Sequence, residues 1–237
     1  MKNIKNISKR SAAGLGVLCV LSLLFSSCLK NNKDYYTPPA ALVTFIQASP
    51  DQPALDLYFN SDRVNSYPVY YNTDIDYFRA YAGKRTINLY NQGTLTTVFS
   101  DTATLVQNAV YSMFLANKAS SPELVVLKDT LNKPASGMAG VRFINLSPDA
   151  PAVSLAVQGG SVLATNKPYK GFSSFIPITG GATYTFQVMQ GSTVLATLSD
   201  VNLNKGFLYT IWFHGLVAST NANDKLAADI VANAYFN

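Results

Sequence analysis

Two copies of Ser-Pro-Asp, Ser49-Pro50-Asp51 and Ser147-Pro148-Asp149, place a hydroxyl and a carboxylate two residues apart, and the only histidine, His214, closes the apolar run Tyr209-Thr210-Ile211-Trp212-Phe213. Residues of these types could serve nucleophilic catalysis if a base stood beside the hydroxyl and a third group oriented it. The spacing does not arrange that. No serine lies in a Gly-x-Ser-x-Gly turn, and the earlier copy has Ala116 or Asn117 where the later one has His214. A calcium ion takes about six to eight oxygens, whereas each copy offers one loop aspartate, with Asp56 the only acid close by. The 13 acidic residues show no spacing that singles out a glycosidase pair. We therefore expect no catalytic residues, no metal and no cofactor. Serine starting a type I turn, proline at its second position and aspartate accepting backbone N–H groups explain both copies as structural turns.

The elements around these turns repeat as well. Val43 to Leu57 laid on Val141 to Leu155 gives nine identities in fifteen positions at an offset of 98. The echo continues at Phe78 and Gly83 against Phe175 and Gly180, Gly93 against Gly191, Ser100-Asp101 against Ser199-Asp200, and Leu105 and Tyr111 against Leu203 and Tyr209. A period of this length indicates a duplicated domain, since solenoid units repeat every 20 to 50 residues or so. Each copy reads as short strands at turn-marked intervals. Leu55, Leu57 and Phe59 alternate with polar or exposed-type residues, as do Ile87 with Leu89, and Tyr184, Phe186 with Val188. Gly159-Gly160, Thr179-Gly180-Gly181 and Gln190-Gly191 mark turns, the last a two-residue hairpin that needs a positive φ at Gly191. No helical stripe of useful length appears. The expected class is all-β: two tandem antiparallel β-sandwich domains, immunoglobulin-like in architecture, over residues 41–128 and 139–237 with a linker at 129–138. Domains of this size bury enough surface to stand without metal or disulfide.

On these repeated residues the chain resembles the family called domain of unknown function 4397, whose pattern is a strand, then Ser-Pro-Asp-Ala-Pro-Ala, then alternating apolar residues. Ser147 to Ala152 match it in full. Gln52 stands where alanine is usual, and Gln47 and Asn145 stand near the place of the family's frequent histidine. The resemblance implies an envelope or secreted β-domain, often in tandem, and brings neither activity nor ligand.

The first 28 residues carry a separate message. Lys2, Lys5, Lys9 and Arg10 precede an apolar stretch from Ala12 to Phe25, and Ser26-Ser27-Cys28 follow. A basic start, a stretch too short to span a bilayer and small residues before a cleavage point describe a secretory signal over 1–27. Its end resembles the lipobox of bacterial lipoproteins, which implies that Cys28 is acylated and the protein tethered to the outer membrane by residues 28–40. Acyl chains contribute roughly 0.8 kcal/mol per buried methylene, so stable anchoring takes more than one. Lys30 and Lys33 interrupt the acidic stretch that resembles a surface-export signal, which leaves the periplasmic and surface-facing sides open. The signal also holds four of the 18 basic residues and none of the 13 acidic ones, leaving 14 against 13. A near-neutral mature chain argues against a nucleic-acid partner. Cys19 leaves with the signal, so no disulfide is expected.

Tyrosines crowd the first copy at Tyr67, Tyr70, Tyr71, Tyr77 and Tyr81. Tyr70 and Tyr71, adjacent on one strand, must face opposite sides, which exposes at least one ring or sets it near an edge. Exposed rings beside Asn72, Thr73 and Asp74 could stack on sugars or anchor a protein, so Tyr70, Tyr71 and Tyr77 are the candidate binding residues. The functional expectation is a non-enzymatic envelope lipoprotein that binds a glycan or protein partner. An accessory subunit of an outer-membrane complex is the alternative, and an undetected hydrolase is the remote one.

Overall fold

The computed structural model describes residues 37–236, so the expected signal, Cys28 and most of the expected tether lie outside the described residues. Eight strands form the first half: β1 (Ala40–Gln47), β2 (Leu55–Phe59), β3 (Asp62–Arg63), β4 (Asp74–Tyr81), β5 (Gly83–Asn91), β6 (Thr97–Leu105), β7 (Val110–Ala116) and β8 (Glu123–Lys128). Eight more form the second: β9 (Met138–Asn145), β10 (Val153–Val157), β11 (Val162–Lys167), β12 (Ile176–Thr179), β13 (Ala182–Gln190), β14 (Thr193–Leu203), β15 (Phe207–His214) and β16 (Ala227–Tyr235). Each half is a sandwich of two four-stranded sheets. The inner sheets run β4-β1-β7-β8 and β12-β9-β15-β16, the outer ones β3-β2-β5-β6 and β11-β10-β13-β14. Strand order is the same in both halves. Pairing is antiparallel except between β1 and β7 and between β9 and β15, which run parallel.

Alternation places the outer strands. Leu55, Leu57 and Phe59 of β2, Ile87 and Leu89 of β5, and Phe186 and Val188 of β13 are buried in the cores of their own sandwiches. The central inner strands are buried on both faces instead. Val43 and Phe45 point into the first core, and Ile46 joins a third cluster with Ala48, Phe114, Val125, Leu127, Ile144, Leu146 and Trp212. That cluster joins the inner sheet of one half to the inner sheet of the other. A strand covered on both faces loses the polar half of its alternation, which is why Val43 to Ile46 reads as an almost continuous apolar run.

Register refines the alignment of the two copies. Phe78 lies opposite Val43, and Ile176 lies opposite Val141. Phe78 therefore corresponds to Ile176, and Tyr77 to Phe175, not Phe78 to Phe175 as the sequence comparison had it. A bulge in β4 opposite Thr44, between the Val43 and Phe45 pairings, lets Phe78 enter the core while Tyr77 faces the second half.

At the joint between halves lies a buried ion pair. Arg142 of β9 donates to Asp129, just past β8, at 2.6 Å, their side chains 4% and 0% exposed. The guanidinium also donates to Thr210 and Ser112 at 2.8–3.0 Å. Asp129 accepts from the hydroxyls of Ser112 and Tyr77 at 2.8 and 3.1 Å. Asn233 closes the network, donating to Tyr77 and Ser112 and accepting from Thr210. Breaking one partner of such a pair costs about 3–5 kcal/mol, because the other charge stays buried, while replacing both by apolar groups can be neutral. Arg142→Met alone should lower the urea-unfolding free energy by about that much, and adding Asp129→Leu should recover most of the loss. A single variant that loses under about 1 kcal/mol would show that the pair does not hold the joint.

Candidate functional site

The loops that follow β1, β3 and β7 lie at one end of the first sandwich, and those that follow β9, β11 and β15 at the same end of the second. Both Ser-Pro-Asp turns are clamps there. Ser49 donates its hydroxyl to the carbonyl of Asn117, and Asp51 accepts the N–H of Ala119 at 2.8 Å. Ser147 donates to the carbonyl of Gly215 at 2.7 Å, and Asp149 accepts the N–H of Val217 at 2.9 Å. Pro50 and Pro148 occupy the bend of each turn. The Gln47 and Asn145 side chains each accept the N–H of the turn serine, so the residues near the family's histidine position brace the same turn. Each turn is thus more than local, because it fixes the base of a loop 68 residues away. Asp56 is engaged elsewhere, with Arg63, Asn65 and the N–H of Gly93. Among the described residues no three His, Cys, Asp or Glu side chains gather as a metal site.

Tyr70 and Tyr71 sit in a turn, not on a strand. Asn72 takes a positive φ of 62° and the hydroxyl and N–H of Thr73 both bond the carbonyl of Tyr70, so the argument from alternating faces does not apply. The turn still separates the two rings. Tyr70 is 55% exposed. Tyr71 is half-buried against the second half, edge-on to His214 at 5.4 Å. Tyr77 is half-buried in the joint, its hydroxyl bonded to Asp129 and Asn233.

His214, 2% exposed at the end of β15, connects the halves. Its Nε2 lies 2.9 Å from Asp229 of β16, its Nδ1 2.5 Å from the Tyr71 hydroxyl, and Asp229 also accepts from the Asn72 amide at 2.7 Å. A neutral ring protonated on Nε2 satisfies every contact: it donates to Asp229 and accepts from Tyr71. The row superficially resembles a catalytic relay. Burial, then the charges of Asp224, Asp229 and Asp51, push the Tyr71 phenol well above its ordinary range, so the phenol keeps its proton and acts as a donor.

Beside this row opens a cleft of about 500 Å³, lined by Gln52, Tyr70, Tyr71, Asn72 and His214 and, before and into β16, by Ala222, Asn223, Lys225, Leu226 and Ala227. Two of its polar atoms lack hydrogen-bond partners within the protein: Nε2 of Gln52, a residue 8% exposed, and Oδ1 of Asn72. A buried donor or acceptor left unpaired costs about 1–3 kcal/mol. Here a donor and an acceptor of this kind border one cleft beneath an exposed aromatic ring. Sequence reasoning noted Gln52 only as a departure from the alanine usual in the motif and treated His214 as a strand residue near a loop. His214 gains its meaning from a contact 143 residues distant, and Gln52 from the cleft it lines together with residues of the second half.

The whole first sandwich and the start of the second carry a recognisable pattern. Residues 41–156 match the family described as Domain of unknown function (DUF4397). This stretch spans β1 to β10 and contains both Ser-Pro-Asp turns, so the DUF4397 resemblance covers the turns but not β15, β16, His214 or the loop that the second turn holds. A search of curated proteins gives no match. Among solved structures, the crystal structure of CBMbc, a family CBM26 module from Eubacterium rectale Amy13K in complex with maltoheptaose, is 9% identical with a TM-score of 0.26, covering 82% of this chain and 96% of that one. A structure described as alpha-glucan binding by a streptococcal virulence factor is 11% identical with a TM-score of 0.24, covering 74% and 92%. Likenesses of this size say nothing about a shared ligand.

Tyrosine titration offers a test of the joint. Burial, then the Asp129 charge, pushes the Tyr77 phenol up to about 12 from 10.0, and Tyr71 moves the same way. A phenol with a raised folded value is stabilising in its protonated form. The contribution is therefore fully present below pH 10 and is lost as pH rises through about 12. Unfolding free energy should fall across that window, and the fall should be shallower in Tyr71→Phe/Tyr77→Phe. Equal slopes in the variant and the parent would place the alkaline sensitivity elsewhere.

Proposed function

We propose that the chain is a non-enzymatic binding module of the bacterial cell envelope, anchored through acylated Cys28, that holds a neutral hydroxyl-rich ligand, a glycan, in the cleft between its halves. The observation that carries this reading is the buried, unpartnered Gln52 amide lining a cleft beside the exposed Tyr70 ring. Sugar hydroxyls both donate and accept, so a rotation of either amide toward the cleft would let them satisfy the Gln52 donor and the Asn72 acceptor, both of which are closed to solvent in this structure. The apolar face of a pyranose suits the tyrosine ring, which offers an apolar body with a polar tip. Asp51, Asp224 and Asp229 stand close enough to raise the Tyr71 phenol, and Lys225 is the charged residue that lines the cleft.

Position agrees with display. The chain enters β1 at Ala40 and reaches the cleft loops only after Gln47; at roughly 3.3 Å per residue the cleft stands about 25 Å beyond the end where a tether would join. A lipid-anchored molecule would then present its binding end away from the membrane. In the accessory-subunit reading the same loop end would meet a protein partner.

Gln52 gives a sharp test. Gln52→Ala removes a buried donor that has no partner, so it should leave the melting temperature unchanged or raise it, while weakening oligosaccharide binding by tenfold or more. Tyr70→Ala should weaken binding similarly. Screening neutral oligosaccharides by calorimetry against both variants reads this directly. No binding by the parent, or full binding by both variants, would remove the glycan reading. Protease shaving of intact cells with a periplasmic control addresses location: loss of the protein with the control intact supports surface display, and full protection moves the accessory-subunit reading forward.

A further inference from the structure

The end of the molecule opposite the cleft has a character of its own. There β1 and β9 begin, and the chain turns between β4 and β5, β6 and β7, and β14 and β15. Exposed Arg79 and Lys84, with Arg85 half-buried beside them, stand on the β4-β5 hairpin, and exposed Lys205 stands in the β14-β15 turn. None of these four pairs with a carboxylate among the described residues. Arg85 donates to the carbonyls of Tyr81 and Ala82 at 2.8 and 2.6 Å, neutral acceptors that leave its charge in place. The acids at this end are exposed Asp62, in the β2-β3 hairpin, and Asp129, whose charge Arg142 matches. The cleft end instead mixes Asp51, Asp74, Glu123, Asp149, Asp224 and Asp229 with Lys118, Lys167, Lys170 and Lys225. Large side chains also stand in solvent opposite the cleft: Tyr81, Val106 and Tyr235 are 55%, 52% and 57% exposed.

We infer that this end rests on the anionic surface of a lipid bilayer. Each lysine or arginine near such a surface strengthens binding roughly fivefold, an attraction that fades within a Debye length. Tyrosine, with an apolar body and a polar tip, suits the headgroup level. The cations belong to separate turns on both halves, a spread that an extended surface can meet and a small anion cannot. The chain also enters here, since Ala40 opens β1. In the anchored reading the tether therefore delivers this end to the bilayer, but the contact is a property of the folded body and does not depend on acylation. Its consequence is orientation: a body seated on its basic end holds the cleft outward instead of swinging on the tether.

Residues 38–237 form a compact unit by themselves, so the body can be assayed without the segment before it. It should co-sediment saturably with phosphatidylglycerol vesicles, less as salt rises, and far less with phosphatidylcholine vesicles. Arg79→Gln/Lys84→Gln/Lys205→Gln should weaken binding at least tenfold with the melting temperature held, and Tyr81→Ala should weaken it independently. Lys118→Gln/Lys167→Gln/Lys170→Gln removes as much positive charge from the cleft end and should leave binding unchanged. Equal sedimentation with the two lipids, or equal loss in the two triple variants, overturns the inference. Tighter binding to heparin than to the vesicles would also overturn it, by identifying a soluble polyanion as the partner. The oligosaccharide reading stands or falls separately, because Gln52 and Tyr70 lie at the other end.

Discussion

The contact between Arg142 and Asp129 makes two sandwiches into one unit. A guanidinium and a carboxylate removed from water are costly unless their donors and acceptors are met, and here Ser112, Thr210 and Tyr77 meet them, held in turn by Asn233. These side chains come from β4, β7, β15 and β16, so the pair is satisfied only when both inner sheets face each other at one registration. The apolar cluster around Phe114 and Trp212 adds burial without direction. The polar network supplies the direction. It is also where the copies differ most usefully: the counterpart of Arg142 at the 98-residue offset is Thr44, whose hydroxyl bonds the carbonyl of Ile75 within its own half. One half carries the cation, the other the anion, and neither has both.

With the halves fixed face to face, the loop ends of both sandwiches share one end of the molecule, and the cleft there is composite. Tyr70, Tyr71 and Gln52 come from the first half, His214, Ala222, Asn223 and Lys225 from the second. The equivalent corner on the other side is closed by different chemistry. Lys170, the counterpart of Asn72, pairs with Glu123 at 2.6 Å, and Tyr169, the counterpart of Tyr71, packs on the third core. The fold repeats, but the cleft with its unpartnered amide belongs to one corner.

Much of the architecture was legible in the residues, because alternation at β2, β5 and β13 reports burial on a single face, and the glycines at 159, 181 and 191 take the positive φ their turns need. The face-to-face joint was not legible. A strand covered on both sides gives a short apolar run, which periodicity alone cannot distinguish from other buried segments, and the joining segment read as a simple linker because Asp129 finds its partner only in three dimensions. The aromatic cluster around Tyr70 drew attention to the right neighbourhood, yet strand periodicity was applied to a turn. Tyr71 and His214 lie 143 residues apart, and no local pattern in the chain announces their contact.

The Ser-Pro-Asp clamps have a further consequence for how such a molecule can vary. Each holds the base of the loop that follows the seventh strand of its half, whatever that loop does beyond its base. Between β7 and β8 the loop has six residues, and between β15 and β16 it has twelve. The longer one supplies Ala222, Asn223 and Lys225 to the cleft wall. A loop pinned at its root by a hydroxyl and a carboxylate can lengthen or change composition without disturbing the strands it joins. The clamp thus turns the loop into an interchangeable cassette, and the difference between the two halves records one such exchange of length.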